Sequence, residues 1–176
     1  LSPNTNAAAA RVLDKLSITL VRAAQAGCCG AVSYHLNAQN EGLDYMRRNI
    51  DAWWPLIESG AEAIVITASG CGAMIAEYGH LLARDPRYAD KAARVSALAK
   101  DISEVIAQEK DKLKALPQSS IPNPQSLRYA FHPPCSLQHA LKMKGKVEAL
   151  LTELGFNLTR VPDAHLCCGR SEEHTS

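Results

Sequence analysis

Two short stretches constrain this chain more than any others: "QAGCCG" at 25–30 and "AHLCCG" at 164–169, each setting two cysteines side by side before a glycine. Both lie in the same context. Setting "KLSITLVRAAQAGCCG" over "ELGFNLTRVPDAHLCCG", with one gap before the CCG, aligns Leu16 with Leu154, Ile18 with Phe156, Leu20 with Leu158, Arg22 with Arg160 and Ala26 with Ala164. A helix end, a strand and a CCG turn therefore occur twice, about 139 residues apart. Agreement in both pattern and order reads as an internal duplication.

The rest of the chain alternates helix and strand. Helical spacing marks 6–16 and 40–58, the latter with Leu43, Met46, Ile50, Trp53, Trp54 and Ile57, and with Pro55 expected to end or kink it. "ITLVR" (18–22), "EAIVITA" (62–68), "LRYAF" (127–131) and "FNLTRV" (156–161) read as strands. A long alanine-rich helix is expected over 88–115 and another over 136–154. Strands separated by helices of this length imply an α/β fold with parallel βαβ units. We expect two pseudo-repeated lobes, 1–115 and 127–169, joined by the proline- and serine-rich linker 116–126, with cysteines at the carboxyl ends of the strands.

At 176 residues the chain can bury a sizeable core. Its net charge of +1 offers no electrostatic footprint for nucleic acid or an anionic membrane. "AIVITA", its longest apolar run, is too short to span a bilayer. No signal peptide is recognisable, and a start at Leu1 reads as a fragment. "RSEEHTS" (170–176) is what a common sequencing-library adapter yields on translation, and is expected to be read-through.

All six cysteines, Cys28, Cys29, Cys71, Cys135, Cys167 and Cys168, follow an expected strand. Parallel α/β sheets bind ligands beyond the carboxyl ends of their strands. A disulfide between neighbours would be strained, because consecutive Cα atoms lie only about 3.8 Å apart. Tetrahedral zinc takes ligands two or more residues apart. Adjacent thiolates suit a multi-iron cluster, whose separate irons each take one. The following glycine would let backbone approach the cluster.

"CCGAVSYHL", "ASGCG", "HPPCSLQHALKMKGKVEALL" and "PDAHLCCG" resemble the cysteine-rich CCG domains shared by the heterodisulfide reductase B subunit and the iron–sulfur subunits of glycolate and lactate oxidation. "LSPNTNAAAARVLDKL" and "NIDAWWPLIESGAEAIVITASGCG" look most like the iron–sulfur subunits of glycolate oxidase (glycolate dehydrogenase), and the resemblance spans 1–169. It implies 4Fe–4S-type clusters held by the six cysteines, with Gly30, Gly70, Gly72, His132 and Gly169 around them. It implies an oxidoreductase subunit that takes electrons from flavoprotein partners, the only holders of FAD, which oxidise glycolate to glyoxylate. The acceptor would be a quinone or another carrier. The family pattern is a leading cysteine, some thirty residues, a CC pair and a closing cysteine motif. Cys135, 31 intervening residues and Cys167–Cys168 fit it. The closing cysteines of that set would lie beyond Gly169, and the leading cysteine of the first set upstream of Leu1. Where the heterodisulfide reductase pattern closes with two cysteines, this chain has Ala68 and then Cys71. The ferredoxin-like region of the relatives is not in this sequence.

Two other classes stay open on the residues: a zinc- or thiol-binding module without redox chemistry, and a cluster acting directly on a disulfide or quinone; within the resemblance, a lactate-oxidising subunit also stays open. His35, His139 and His165 read as structural or exposed, Trp53 and Trp54 as core, and the charged helix at 88–115 as a solvated face. Unpaired thiols point to the cytoplasm, with docking at the inner membrane face through partners.

Overall fold

The computed structural model describes residues 3–116 and 126–166. It is mixed helix and sheet, with short parallel strands, in two compact units: 1–102 and 103–176. The division falls at Ile102, ahead of helices that the sequence pattern groups with the first lobe; most of the expected linker, 117–125, lies outside the described residues.

In the first unit, α1 (Pro3–Lys15) leads to an irregular stretch, α2 (Ala31–His35) and the long α3 (Gln39–Glu58). Strand β1 (Ile64–Ile66) enters α4 (Ser69–Ala76), α5 (Tyr78–Leu81) and α6 (Ala89–Leu98), and the chain returns in β2 (Ala99–Asp101) parallel to β1. Met46, Ile50, Tyr78, Ala92 and Val95 are wholly buried between these helices. Each large apolar side chain so buried contributes roughly 1.5–3 kcal/mol. At the end of β1 the Thr67 hydroxyl donates to the Asn6 side-chain oxygen at 2.8 Å, tying α1 to the strand.

The second unit contains α7 (Ile102–Gln108, from its second residue), α8 (Lys110–Ala115), β3 (Arg128–Ala130), a π-helical turn at Ser136–Ala140, α9 (Lys146–Glu153) and β4 (Asn157–Thr159). β3 and β4 pair in parallel, Tyr129 opposite Leu158. Tyr129 also meets Phe156 edge to face, centroids 5.2 Å apart.

Three expectations need correction. The stretch 18–22 pairs with no strand among the described residues, and Leu20 and Val21 stand 46% and 65% exposed. A strand exists only when a neighbour completes its ladder: β4, its counterpart in the duplication, has β3, and among the described residues 18–22 has none. The long helix over 88–115 is broken by β2, because β1 takes its parallel partner from Ala99–Asp101 despite that segment's poor strand propensity. The helix over 136–154 is two pieces, interrupted where Lys142 and Gly145 take φ of 53° and 76°. By contrast α3 keeps the span expected for it, running through Pro55 to Glu58.

The duplication is visible at both helix ends. Ile18 N–H donates to Leu13 O at 2.9 Å across Ser17 (φ 60°), and Phe156 N–H to Leu151 O at 3.0 Å across Gly155 (φ 87°). These are equivalent left-handed helix caps at aligned positions.

Candidate functional site

The first cysteine pair sits at the end of the irregular stretch, where Gly30 (φ 84°) turns the chain into α2. Adjacent side chains on such a turn diverge: Cys29 is buried and Cys28 exposed. Cys71 lies in the first turn of α4, immediately after β1, and is half-buried. The fold therefore brings together thiols 42 positions apart in sequence, Cys29 and Cys71, as hydrogen-bond partners. Donation of the Cys29 S–H holds Cys71 down to about 7, against the opposing effect of burial. The same bond, followed by burial, pushes Cys29 far above the ordinary thiol range. The contact lowers Cys71 and raises Cys29, so Cys71 is the more acidic of the two thiols. Cys28 lies within electrostatic reach of Cys71, and all three thiols within reach of Tyr78, whose hydroxyl is raised chiefly by burial.

Two buried residues that sequence reasoning missed hold this turn. Asn49 of α3 accepts from Gly27 N–H at 2.8 Å and donates to Cys28 O at 2.8 Å and to the Tyr78 hydroxyl at 3.2 Å. Tyr78 in turn donates to Cys29 O at 2.8 Å. Asn49 and Tyr78 are 1% and 0% exposed. The signal was present: Asn49 is a polar residue in the helical stripe between Met46, Ile50 and Trp53. Trp53 backs the site by stacking on Tyr78, centroids 6.4 Å apart. Beside the exposed Cys28 lies a shallow cleft of about 180 Å³ lined also by Gln25, Tyr45 and Arg48. The Arg48 guanidinium sits over the Tyr45 ring at 4.4 Å.

The glycines divide. Gly30 is tight because a methyl group there would stand 2.6 Å from Gly42 O, so its closest neighbour is α3. Gly70 has open space where a side chain would be, and Gly72 is buried in α4.

In the second unit Cys135 is exposed at the entry to the π-helical turn. The buried Gln138 carboxamide donates to Pro133 O at 2.8 Å and Ala164 O at 2.9 Å, joining the loop before Cys135 to the segment that leads toward Cys167. His132 reaches the same segment, its Nε2 3.3 Å from Leu166 O. Cys167, Cys168 and Gly169 lie outside the described residues. His35 meets Tyr34 edge to face, and His139 and His165 are exposed.

Among the described residues no three Cys, His, Asp or Glu side chains converge as a single-ion site. The donors gathered in the first unit are all sulfur, which suits soft, thiolate-bound iron. A cluster several atoms across also takes ligands from donors that one ion could not bridge. No helix among the described residues is long and apolar enough to cross a membrane.

A profile for the cysteine-rich domain CCG matches residues 1–76 and 129–176. The chain is 58% identical over 169 residues to the glycolate oxidase iron–sulfur subunit of Escherichia coli (strain K12), covering 96% of this chain and 40% of that protein. It is 29% identical over 166 residues to the probable glycolate oxidase iron–sulfur subunit of Bacillus subtilis (strain 168), covering 94% of this chain and 36% of the relative. With lactate utilization protein A of Geobacillus kaustophilus (strain HTA426) it shares 27% identity over 143 residues, 81% of this chain and 55% of that protein. The chain thus spans about two fifths of the length of the two glycolate oxidase relatives. No solved structure matches it.

Proposed function

The chain belongs to the cysteine-rich CCG domain family, and from that premise we propose that it is an iron–sulfur electron-transfer portion of a glycolate-oxidising complex. The observation that carries this reading is 58% identity, across 96% of the chain, to a protein named as a glycolate oxidase iron–sulfur subunit. Flavoprotein partner subunits oxidise glycolate to glyoxylate on their FAD, and the electrons pass through this subunit toward a quinone or another acceptor. The complex works in the cytoplasm, docked at the inner membrane face through its partners.

Cys28, Cys29 and Cys71 are the ligands of the first unit; Cys135, Cys167 and Cys168 are those of the second. A bound cluster, of 4Fe–4S type, stores and passes single electrons. The chain's own residues prepare the donors. Cys71, held down to about 7 by the Cys29 S–H, would lose its proton to a metal more readily than an ordinary thiol. Cys29 surrenders its proton as it binds, and Cys28 presents its sulfur at the surface. Gly70, beside Cys71, leaves open space where a side chain would stand, which would let a cluster approach the backbone there; Gly72 and Gly169 complete the glycines proposed around the cysteines. His132 braces the approach to Cys167 through Leu166.

Anaerobic reconstitution of the native full-length polypeptide with ferrous iron and sulfide tests the reading. Broad visible absorption that bleaches on reduction, with matching iron and sulfide, is expected. Colourless protein holding zinc alone sinks it. Disulfide turnover without any flavoprotein would transfer the chemistry to this subunit itself.

A further inference from the structure

The irregular stretch before α2 belongs to no helix or strand, so no ladder fixes where its cysteines stand. The tertiary hydrogen bonds described for it run to two side chains, Asn49 and Tyr78. Together they take up Gly27 N–H, Cys28 O and Cys29 O, the three main-chain groups that set the path of the turn. Burying a carboxamide in the apolar stripe of α3 is unfavourable unless its polar atoms are bonded. Here Oδ1 accepts once and Nδ2 donates twice, which uses both of its hydrogens. The Tyr78 hydroxyl both accepts and donates, so the two residues form one relay from helix to turn.

We propose that Asn49 and Tyr78 are positioning residues for the Cys28–Cys29 pair: their buried relay presets the turn so that Cys29 faces Cys71 and Cys28 faces outward before metal arrives. The proposal rests on the reading of these cysteines as metal ligands. A ligating constellation works only when its supports hold it within a fraction of an ångström. Outer partners of metal ligands carry about 10- to 100-fold in metal affinity. The second unit repeats the device with a different residue: the buried Gln138 carboxamide ties the loop before Cys135 to Ala164, three positions before Cys167.

The test uses the full chain with Cys135→Ser, Cys167→Ser and Cys168→Ser, leaving only the thiols of the first unit, and titrates it anaerobically with Cd²⁺ alone, which the contacting Cys29 and Cys71 sulfurs take as a pair. Tyr78→Phe keeps the ring on Trp53 and removes only the hydroxyl. Val95→Ala opens a cavity in the same core, and none of the hydrogen bonds that hold the turn involves Val95. Cadmium affinity about ten-fold weaker in Tyr78→Phe, and unchanged in Val95→Ala at equal or greater loss of thermal stability, supports the proposal. Parental affinity in Tyr78→Phe, equal weakening by Val95→Ala, or no cadmium binding by the parent overturns it. Failure of the iron reading shows separately: the full-length polypeptide would assemble no iron–sulfide chromophore while the cadmium series kept its order.

Discussion

Gly30 closes the first cysteine pair with its neighbour already fixed: Gly42 O, 2.6 Å from where a β-carbon would stand, at a φ of 84°. Gly30→Ala meets both the left-handed penalty, about 1–2 kcal/mol, and that contact. We expect a loss of about 2 kcal/mol or more, read by denaturant unfolding, with Gly70→Ala nearly neutral because nothing lies within 4 Å of its added methyl. The glycine of "CCG" was legible as a demand for close approach, but its closest partner was not, since Gly42 is defined only once α2 packs on α3. The cysteines follow the same rule. Sequence marked Cys71 as a lone thiol; contact with Cys29 makes it acidic. Its alkylation rate in the metal-free chain is expected to rise through about pH 7. Cys29→Ala, which removes the S–H donor, should move that midpoint up toward the ordinary thiol range. An unmoved midpoint would separate the two sulfurs.

Elements were most legible where local signals agree. α1 and α3 appear within a few residues of their expected spans, and β1, β3 and β4 lie inside theirs. β2 escaped notice because Ala-Lys-Asp carries no strand signature; it is a strand because β1 lies alongside. Pro55 shows the opposite conflict. It lacks the N–H that would reach Asp51 O, yet the helix continues for three residues, held by the packing of Trp53 and Ile57 against the core. Proline inside a helix costs roughly 3 kcal/mol, less near an end. Pro55→Ala is therefore expected to stabilise the first unit by about 1 kcal/mol, measured as a raised thermal midpoint. A fall would mean that the ring itself is packed to advantage. In the second unit, Lys110 and Lys114 of α8 both approach Glu153 at the end of α9, at 2.7 and 3.6 Å, contacts too exposed to carry much weight.

Across the whole molecule, charge enters stability where helices meet. Arg47 of α3 donates to Asp85, in the turn before α6, at 2.9 Å, and Asp85 also accepts from Arg87 N–H at 3.0 Å. The Arg87 N–H first, and then Arg47, hold the Asp85 carboxyl below its usual range. A carboxyl lowered by folding stabilises the protein above its unfolded pKa and loses that contribution as pH falls through the folded one. Thermal midpoints of parent and Asp85→Asn should therefore differ at neutral pH and converge in acid; a gap independent of pH would assign the loss to packing instead. By itself the sequence determined the α/β class, the duplication and the thiol-rich chemistry, because periodicity, paired cysteines and helix-ending signals are local and survive without a fold. Tertiary structure alone decided which strand finds a partner, where the compact units divide, and which sulfurs meet. It also recruited Asn49, Tyr78 and Gln138 to hold the loops around the cysteines. Those outcomes depend on which distant groups are brought within a few ångströms, and no local pattern encodes that distance.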